Sequence, residues 1–247
     1  MRTRFAEFGH TYDSYSFGYT VHGERESSDN LASVYADGFL PYSSVGADPN
    51  LFYMSRSVRV PVAQHTASSE NRRILRKFDG QFTCEYLEGD ALRASPEFRT
   101  LMLTYFAERH GAQVMPAERL EQILARDLPL RAAAYSKDGT PVAYVLEVAE
   151  GPFMHYWYSC YSLAHVNGSL GMWLMLDAIR RAAQEGRTYV YLGTAYGEKA
   201  RYKTNVLALE YWDGNTWQAD TRRLAELMKL DGAHLSGSLA LPSRLHA

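Results

Sequence analysis

A short polar segment in the last quarter of the chain carries the side chains best suited to chemistry. These are a tyrosine, two lysines and a following glutamate: Tyr202, Lys199, Lys203 and Glu210. The segment lies between two stretches, 188–192 and 207–212, that are rich in aromatic and aliphatic residues and typical of strands. A basic, tyrosine-bearing loop between two strands favours an anionic ligand, although a solvated surface loop has a similar composition.

Motifs spread over most of the chain resemble those of one enzyme family. The motifs are Arg59-Val60-Pro61-Val62 leading through Ser68 to Asn71-Arg72-Arg73, then 106–110 before Gly111, Ser169-Leu170-Gly171, Tyr191-Leu192-Gly193, and the polar segment above with Trp217. Their order is similar to that of the aminoacyl-tRNA-protein transferases. Those arginyl- and leucyl-transferases of the N-end rule add an amino acid to protein N-termini.

The resemblance implies that an α-amino group attacks the ester joining an amino acid to tRNA. An α-amino group has a pKa of about 8, so part of it is already nucleophilic at neutral pH. Because the ester is activated, positioning and carbonyl polarisation could supply most of the rate without a nucleophilic triad. The expected partners are aminoacyl-tRNA as donor and a protein or peptide N-terminus, including acidic ones, as acceptor.

The resemblance also suggests roles for the polar side chains. Tyr202 could donate a hydrogen bond to the carbonyl or to the departing ribose oxygen. Lys199 and Lys203 could hold the terminal phosphates or an acidic side chain of the acceptor. Glu210 could bind the amino group or take its proton, and Glu147 is a second candidate for that role. The alternative for each of these residues is a role in packing or solvation alone.

A second group of residues is expected to bind the substrate. The resemblance and the predicted helix start assign this role to Asn167, Ser169, Gly171, Tyr191 and Gly193. In a GNAT-type acyltransferase the helix start would receive the pyrophosphate of coenzyme A on free backbone N–H groups. The residues 168–173 do not match the coenzyme A pattern, whether Gly168 or Gly171 is taken as its first glycine. A coenzyme A donor is therefore disfavoured, and a plain helix cap remains an alternative to a tRNA 3′ end.

Contact with tRNA requires a local basic patch because the net charge of the chain is −2. The candidate patch comprises Arg59, Arg72, Arg73, Arg76 and Lys77. Arg72 and Arg76 are four residues apart and share one face of the predicted helix, which would suit a row of phosphates. A helix with one solvated, charged face is the alternative.

The chain departs from the family pattern at several places. The segment 39–55 lacks the cysteines that members of the family usually carry there, and 162–164 reads Ser-Leu-Ala where the family has an acidic motif. The two cysteines present, Cys84 and Cys160, lack the spacing of metal ligands. We therefore expect no metal, no cluster and no other cofactor, and a donor amino acid or acceptor that differs from those of the family.

Composition favours a soluble protein, with 46% hydrophobic and 22% charged residues among 247. The N-terminus has no apolar core of a signal peptide, and no apolar run approaches the roughly 18 residues of a membrane span. The sequence therefore predicts a cytoplasmic protein that does not enter a membrane.

The order of predicted elements indicates an α+β, GNAT-like fold. Strands at 131–135, 142–148 and 153–161 form a meander, a helix follows at 168–184, and a strand and a hairpin complete the order. We predict an N-terminal region at 1–128, a catalytic core at 129–230 and a loosely ordered tail at 231–247. The expected function is aminoacyl transfer from tRNA; the alternatives are an acyl-CoA-dependent N-acyltransferase and a non-catalytic binding module.

Overall fold

The computed structural model describes residues 1–7 and 19–233, which form two sheets and seven α-helices. The helices are α1 (Leu31–Ala36), α2 (Ser69–Phe78), α3 (Gly89–Ala94), α4 (Pro96–His110), α5 (Ala117–Leu124), α6 (Leu170–Gln184) and α7 (Thr221–Ala233). Short 3₁₀ turns lie at Val62–Gln64, Leu163–Gly168 and Glu198–Asn205. No helix within the described ranges is long and apolar enough to cross a membrane.

The strands divide between a small and a large sheet. They are β1 (Arg2–Glu7), β2 (Tyr19–Glu24), β3 (Leu40–Pro41), β4 (Leu51–Met54), β5 (Ser57–Pro61), β6 (Thr83–Glu88), β7 (Leu130–Lys137), β8 (Thr140–Glu150), β9 (Phe153–Tyr161), β10 (Tyr189–Thr194), β11 (Glu210–Trp212) and β12 (Trp217–Gln218). The four-stranded sheet has the order β1-β2-β4-β3. The eight-stranded sheet has the order β12-β11-β5-β10-β9-β8-β7-β6.

The large sheet is antiparallel except at its middle. The strands β6 to β9 pair as an antiparallel meander, whereas β10 runs parallel to β9 and antiparallel to β5. The helix α6 makes the connection between the parallel strands, as a βαβ unit requires. Its apolar face, including Trp173, Leu174 and Ile179, is buried in the core.

Helix starts follow the capping residues in the sequence. The Ser68 side chain accepts a hydrogen bond from the backbone N–H of Asn71 at the start of α2. The Ser95 side chain does the same for Phe98 at the start of α4, where proline occupies the first turn. Serine before a helix-forming stretch predicts a helix start, because its side chain satisfies donors that the helix leaves free, and both helices begin at such a serine.

Two features of the N-terminal half differ from the prediction. The residue pattern of 51–62 predicts one continuous strand. The chain instead turns at Arg56, whose φ is 50°, so that β4 and β5 belong to different sheets. In addition, β5 and β6 precede residue 128 and yet lie within the large sheet. The predicted boundary at 128 therefore does not separate two sheets. The tail predicted from 231 begins inside α7, and residues 234–247 lie outside the described part of the chain.

Candidate active site

The parallel strands β9 and β10 separate partway along their length. They pair only at Tyr189 with Phe153, Val190 with Met154 and Tyr191 with His155, although β9 continues to Tyr161 and β10 to Thr194. The opening between them is part of a cleft of about 860 Å³. A cleft of this size holds a ligand larger than a single amino acid.

A bulge in β10 shapes one wall of this cleft. The register with β5 shifts between Tyr191 and Thr194, and Gly193 within the bulge has a φ of 85°. A Cβ at Gly193 would lie 3.0 Å from the Nζ of Lys203. Glycine is favoured here by its backbone conformation, and an added Cβ would press on the flexible end of Lys203.

Lys203 is half-buried at the bulge and lines the cleft. Its Nζ donates a hydrogen bond to the carbonyl oxygen of Thr194 at 2.8 Å. Burial lowers the pKa of Lys203 to about 8, because the charged amine is partly removed from water. The Lys203 amine is thus mainly charged at neutral pH and loses its proton slightly above it.

Tyr202 and Lys199 lie closer to solvent on the same wall. Tyr202 is 46% exposed and Lys199 is exposed, and both line the cleft. The structure therefore brings together three of the residues expected at the site, on the 3₁₀ turn that follows β10. Gly193, Ser169 and Gly171 from the expected binding group also line this cleft.

The cleft has a positive electrostatic character. Four of its lining residues are basic: Arg109, Arg119, Lys199 and Lys203. No Asp or Glu is found among the described side chains that line it. Cations concentrated in a low-dielectric cleft attract anionic ligands, so the cleft favours phosphate or carboxylate groups.

Aromatic rings cover much of the remaining wall. The lining rings are Tyr42, Tyr53, Tyr105, Phe106, Tyr156, Trp157, Tyr158, Tyr161 and Tyr202. Aromatic faces next to basic groups bind unstacked nucleobases in single-stranded nucleic acids. The combination suits a ligand with both a base and a phosphate.

Two histidines lie in this cleft as neutral groups. His155 is 1% exposed, sits where β9 and β10 separate, and its Nδ1 lies 3.0 Å from the hydroxyl of Tyr35 in α1. Burial, together with the charge of Lys203, lowers the pKa of His155 to about 3. The pKa of His110 is also lowered, first by burial and then by Arg109 and Lys199. Neither imidazole adds charge at neutral pH.

A hydrogen-bonded cluster forms another part of the wall. The Ser43 hydroxyl lies 2.6 Å from the Tyr158 hydroxyl. Arg119 donates to both of these side chains and to the carbonyl oxygens of Ser43 and Val114. The cluster ties the loop after β3 to α5 and β9, and it gives that part of the cleft a fixed polar surface.

The start of α6 lacks the glycine spacing that binds the pyrophosphate of coenzyme A, the cofactor that a GNAT fold implies. A Cβ at Gly171 would lie 3.3 Å from the ring of Tyr161, and one at Gly168 would lie 3.3 Å from the ring of Phe78. Aromatic rings therefore fill the space on the Cβ side of both glycines. Ser169 begins the helix in a left-handed conformation with a φ of 66°. The side chain of Asn167 lies outside the described part of the structure.

The predicted catalytic role of Glu147 is wrong, because the residue does not lie in the cleft. Glu147 is 0% exposed on β8 and is not among the residues that line the cleft. Its carboxylate accepts from Arg131 at 2.9 Å and from Arg181 at 2.5 Å. A fully buried carboxylate bound by two guanidinium groups cannot reach an amine in the cleft, so Glu147 is part of the core.

Glu210, Arg59 and Tyr191 also lie away from the cleft lining. Glu210 accepts from Arg59 Nε at 2.7 Å across the pairing of β11 with β5. The Arg59 guanidinium is held between the rings of Tyr189 and Trp217, at 3.8 and 4.0 Å from their centroids. Tyr191 is buried. Arg59 is therefore a packing residue rather than a tRNA contact, and Glu210 is its counter-ion rather than a base.

The rest of the predicted tRNA patch is exposed on α2. Arg72, Arg73, Arg76 and Lys77 are all exposed, and Arg73 also forms a two-point ion pair with Glu70. The Nζ of Lys77 donates to the carbonyl oxygen of Gly168 at 2.9 Å. The basic end of α2 therefore lies next to the start of α6, one residue from Ser169 at the cleft.

Sequence reasoning missed several residues that the fold brings to the cleft. Arg109 and His110 end α4, where basic residues usually serve only the helix dipole. His155 stands in an apolar strand, and only the register of β9 against β10 shows that it lies where the strands part. The motif at 106–110 marked the first two, but nothing in the sequence distinguished His155.

The sequence also matches a known protein family. The sequence model of the acetyltransferase (GNAT) domain matches residues 64–204, more than half of the chain. The chain belongs to this GNAT acetyltransferase family, and the predicted α+β, GNAT-like fold is confirmed.

A related protein indicates which class of transferase the chain resembles. The chain is 30% identical over 171 residues to aspartate/glutamate leucyltransferase of Parvibaculum lavamentivorans, covering 66% of this chain and 69% of that protein. The expected relationship to aminoacyl-transferring enzymes is therefore confirmed in its broad form, and the protein is an acyl- or aminoacyltransferase by descent.

More distant likenesses exist among solved structures. L-PGS from Bacillus licheniformis is 14% identical with a TM-score of 0.47, over 87% of this chain and 74% of that one. The C-terminal domain of a putative lysylphosphatidylglycerol synthetase from Agrobacterium fabrum is 15% identical with a TM-score of 0.45, over 61% of this chain. The match spans about half, 49%, of that structure. Such distant likenesses carry no functional conclusion.

Proposed function

We propose that the protein transfers an amino acid from aminoacyl-tRNA to the α-amino group of a protein or peptide N-terminus. The observation that carries this proposal is the cleft between β9 and β10, with four basic side chains, aromatic walls and no carboxylate among its described lining side chains. The 3′ end of a charged tRNA supplies the matching groups, since it combines phosphates, bases and an activated ester.

The approach to the cleft supports a nucleic-acid donor. Arg72, Arg76 and Lys77 lie exposed on α2, and Lys77 contacts the segment that begins α6. Phosphates laid along these side chains would lead the 3′ end towards Ser169 and Lys199 at the cleft. Contacts of this kind bind the nucleic-acid backbone without reading its sequence.

The reaction forms one C–N bond and breaks the ester C–O bond. The attacking amine loses a proton, and the ribose oxygen that leaves gains one. Both Tyr202 and Lys203 line the cleft. In this scheme Tyr202 donates a hydrogen bond to that oxygen, and Lys203, held at the bulge by the Thr194 carbonyl, supplies positive charge to the carbonyl oxygen of the ester. Charge already fixed in place stabilises the tetrahedral intermediate without reorganisation. Lys199 and Arg109 remain for the phosphates.

No strong base is needed in this scheme. The acceptor amine has a pKa of about 8 and is partly neutral before it binds. The placement of Glu147 and Glu210 outside the cleft is consistent with this requirement. The acceptor of the proposed reaction includes acidic N-termini, because a basic cleft would bind their side chains.

A direct transfer assay tests the proposal. The protein is incubated with labelled aminoacyl-tRNA and with peptides that differ only in an acidic or neutral N-terminal residue, with and without ribonuclease. We expect the peptide to become labelled, and we expect ribonuclease to prevent this labelling. Transfer from acyl-CoA alone would favour the acyl-CoA-dependent N-acyltransferase, and binding without turnover would favour a non-catalytic module.

A further inference from the structure

The last turn of α7 carries a buried carboxylate that contacts the loop of the proposed active site. Asp231 is 3% exposed. Its Oδ2 accepts from the backbone N–H of Gly197 and from the Arg56 guanidinium, each at 2.8 Å. Both donors belong to segments distant from α7 in sequence, so one carboxylate joins three parts of the chain.

Arg56 extends this contact to the residues before the loop. The Arg56 guanidinium also donates to the carbonyl oxygen of Ala195 at 3.4 Å, and it lies 4.9 Å from the centre of the Tyr196 ring. The backbone carbonyl of Arg56 accepts from the N–H of Ala195 at 3.0 Å. The stretch 195–197 is therefore fixed through both its backbone and a side chain.

Gly197 occupies the position from which the 3₁₀ turn Glu198–Asn205 begins. Its φ of 69° and ψ of 170° are available almost only to glycine, so the direction of the following chain depends on this residue. The turn carries Lys199, Tyr202 and Lys203. At its other end the Asn71 side chain donates to the carbonyl oxygen of Asn205 at 3.1 Å.

We propose that Asp231 is a positioning residue that sets the 3₁₀ turn, and with it Lys199, Tyr202 and Lys203, in the geometry for transfer. The catalytic part of this inference rests on the proposed function, whereas the ordering of the turn does not. In Asp231→Asn the Arg56 guanidinium loses its counter-ion, and the Gly197 N–H keeps only a neutral and therefore weaker acceptor. Both effects fall at the start of the turn.

The test compares Asp231→Asn with Glu226→Gln, which makes the same change at an exposed position of α7. Hydrogen exchange is followed in the full-length protein without substrate. For Asp231→Asn we expect the amides of 197–205 to exchange at least tenfold faster, while those of α6 stay unchanged. Glu226→Gln should match the wild type. Unchanged exchange in 197–205, or equal acceleration in α6, would overturn the inference.

Kinetics supply the second readout. In the transfer assay Asp231→Asn should lower kcat at least tenfold with a smaller change in KM, and Asp231→Glu should recover part of the activity. A kcat equal to that of the wild type would overturn the catalytic role. If the wild type shows no transfer, the proposed function fails, and hydrogen exchange alone still decides whether Asp231 orders the turn.

Discussion

The amino group of Lys203 lies 3.0 Å from the point where a side chain on Gly193 would begin. The same nitrogen donates to the neighbouring carbonyl of Thr194. A backbone feature of β10, the bulge, is thus the binding site of the lysine. In the proposed reaction, the position of the Lys203 amine therefore depends on the absence of a side chain on Gly193.

The pH dependence of kcat/KM in variants of Lys203 should show whether its charged form is the active one. The pKa of Lys203 is lowered to about 8, so the cation, and with it kcat/KM, should decline above that pH. Lys203→Ala should reduce transfer by about 100-fold, within the range for removal of one oxyanion donor, with little change in Tm. Lys203→Arg should remove the alkaline decline because arginine stays charged. A rate that instead rises with the deprotonation of Lys203 would contradict the cationic role.

Gly193→Ala should impair transfer by displacing Lys203. A non-glycine residue in this conformation costs about 1–3 kcal/mol. Gly186→Ala is the matched control, because its φ of 70° is similar and no atom lies within 4 Å of an added Cβ. We expect a similar decrease of stability in both variants by urea unfolding, but a decrease of transfer only in Gly193→Ala. Equal activity of the two variants would show that the reaction does not depend on the contact between Gly193 and Lys203.

Glu147→Gln should destabilise the fold without a specific catalytic effect. Removal of one partner from a buried ion pair costs about 3–5 kcal/mol, and Glu147 lies between Arg131 and Arg181. Glu150→Gln, at an exposed position of the same strand, should change stability by less than about 0.5 kcal/mol. Urea unfolding measures both. A Glu147→Gln protein of unchanged stability but reduced kcat would support a catalytic role for Glu147.

Arg72→Ala and Arg76→Ala should weaken binding of tRNA and reduce its dependence on salt. Removing one arginine that neutralises a phosphate lowers the slope of log K against log salt by about 0.7–0.9. Arg2→Ala, an exposed arginine in the small sheet, is the control and should leave the slope unchanged. Filter binding over a series of salt concentrations gives these slopes. An unchanged slope in the α2 variants would remove this helix from the interface.

Local signals in the sequence predict much of the fold. The serine caps locate α2 and α4, and the residue pattern locates the meander β7 to β9, because these features depend on neighbours within a few residues. The lysines of the cleft are predictable for the same reason. They follow one strand directly, and the end of a strand is where a loop can carry exposed side chains.

The roles of Glu147 and Glu210 depend on partners far away in the chain. Glu210 pairs with Arg59 across β11 and β5, and Glu147 pairs with Arg131 across β8 and β7. A sequence shows an acidic residue on a strand but not the register that places an arginine opposite it. The same limit hid His155, whose position at the cleft is set by where the pairing of β9 and β10 ends.

The strand β5 lies between β10 and β11 in the large sheet, although it ends before the segment matched by the GNAT family begins. A recombinant fragment cut to 64–204 would therefore lack an interior strand and leave the edge of β10 open. Unpaired strand edges recruit other chains and promote aggregation. Expression trials should retain residues from β5 onwards, and a soluble, monomeric 64–204 fragment would show that this strand is dispensable.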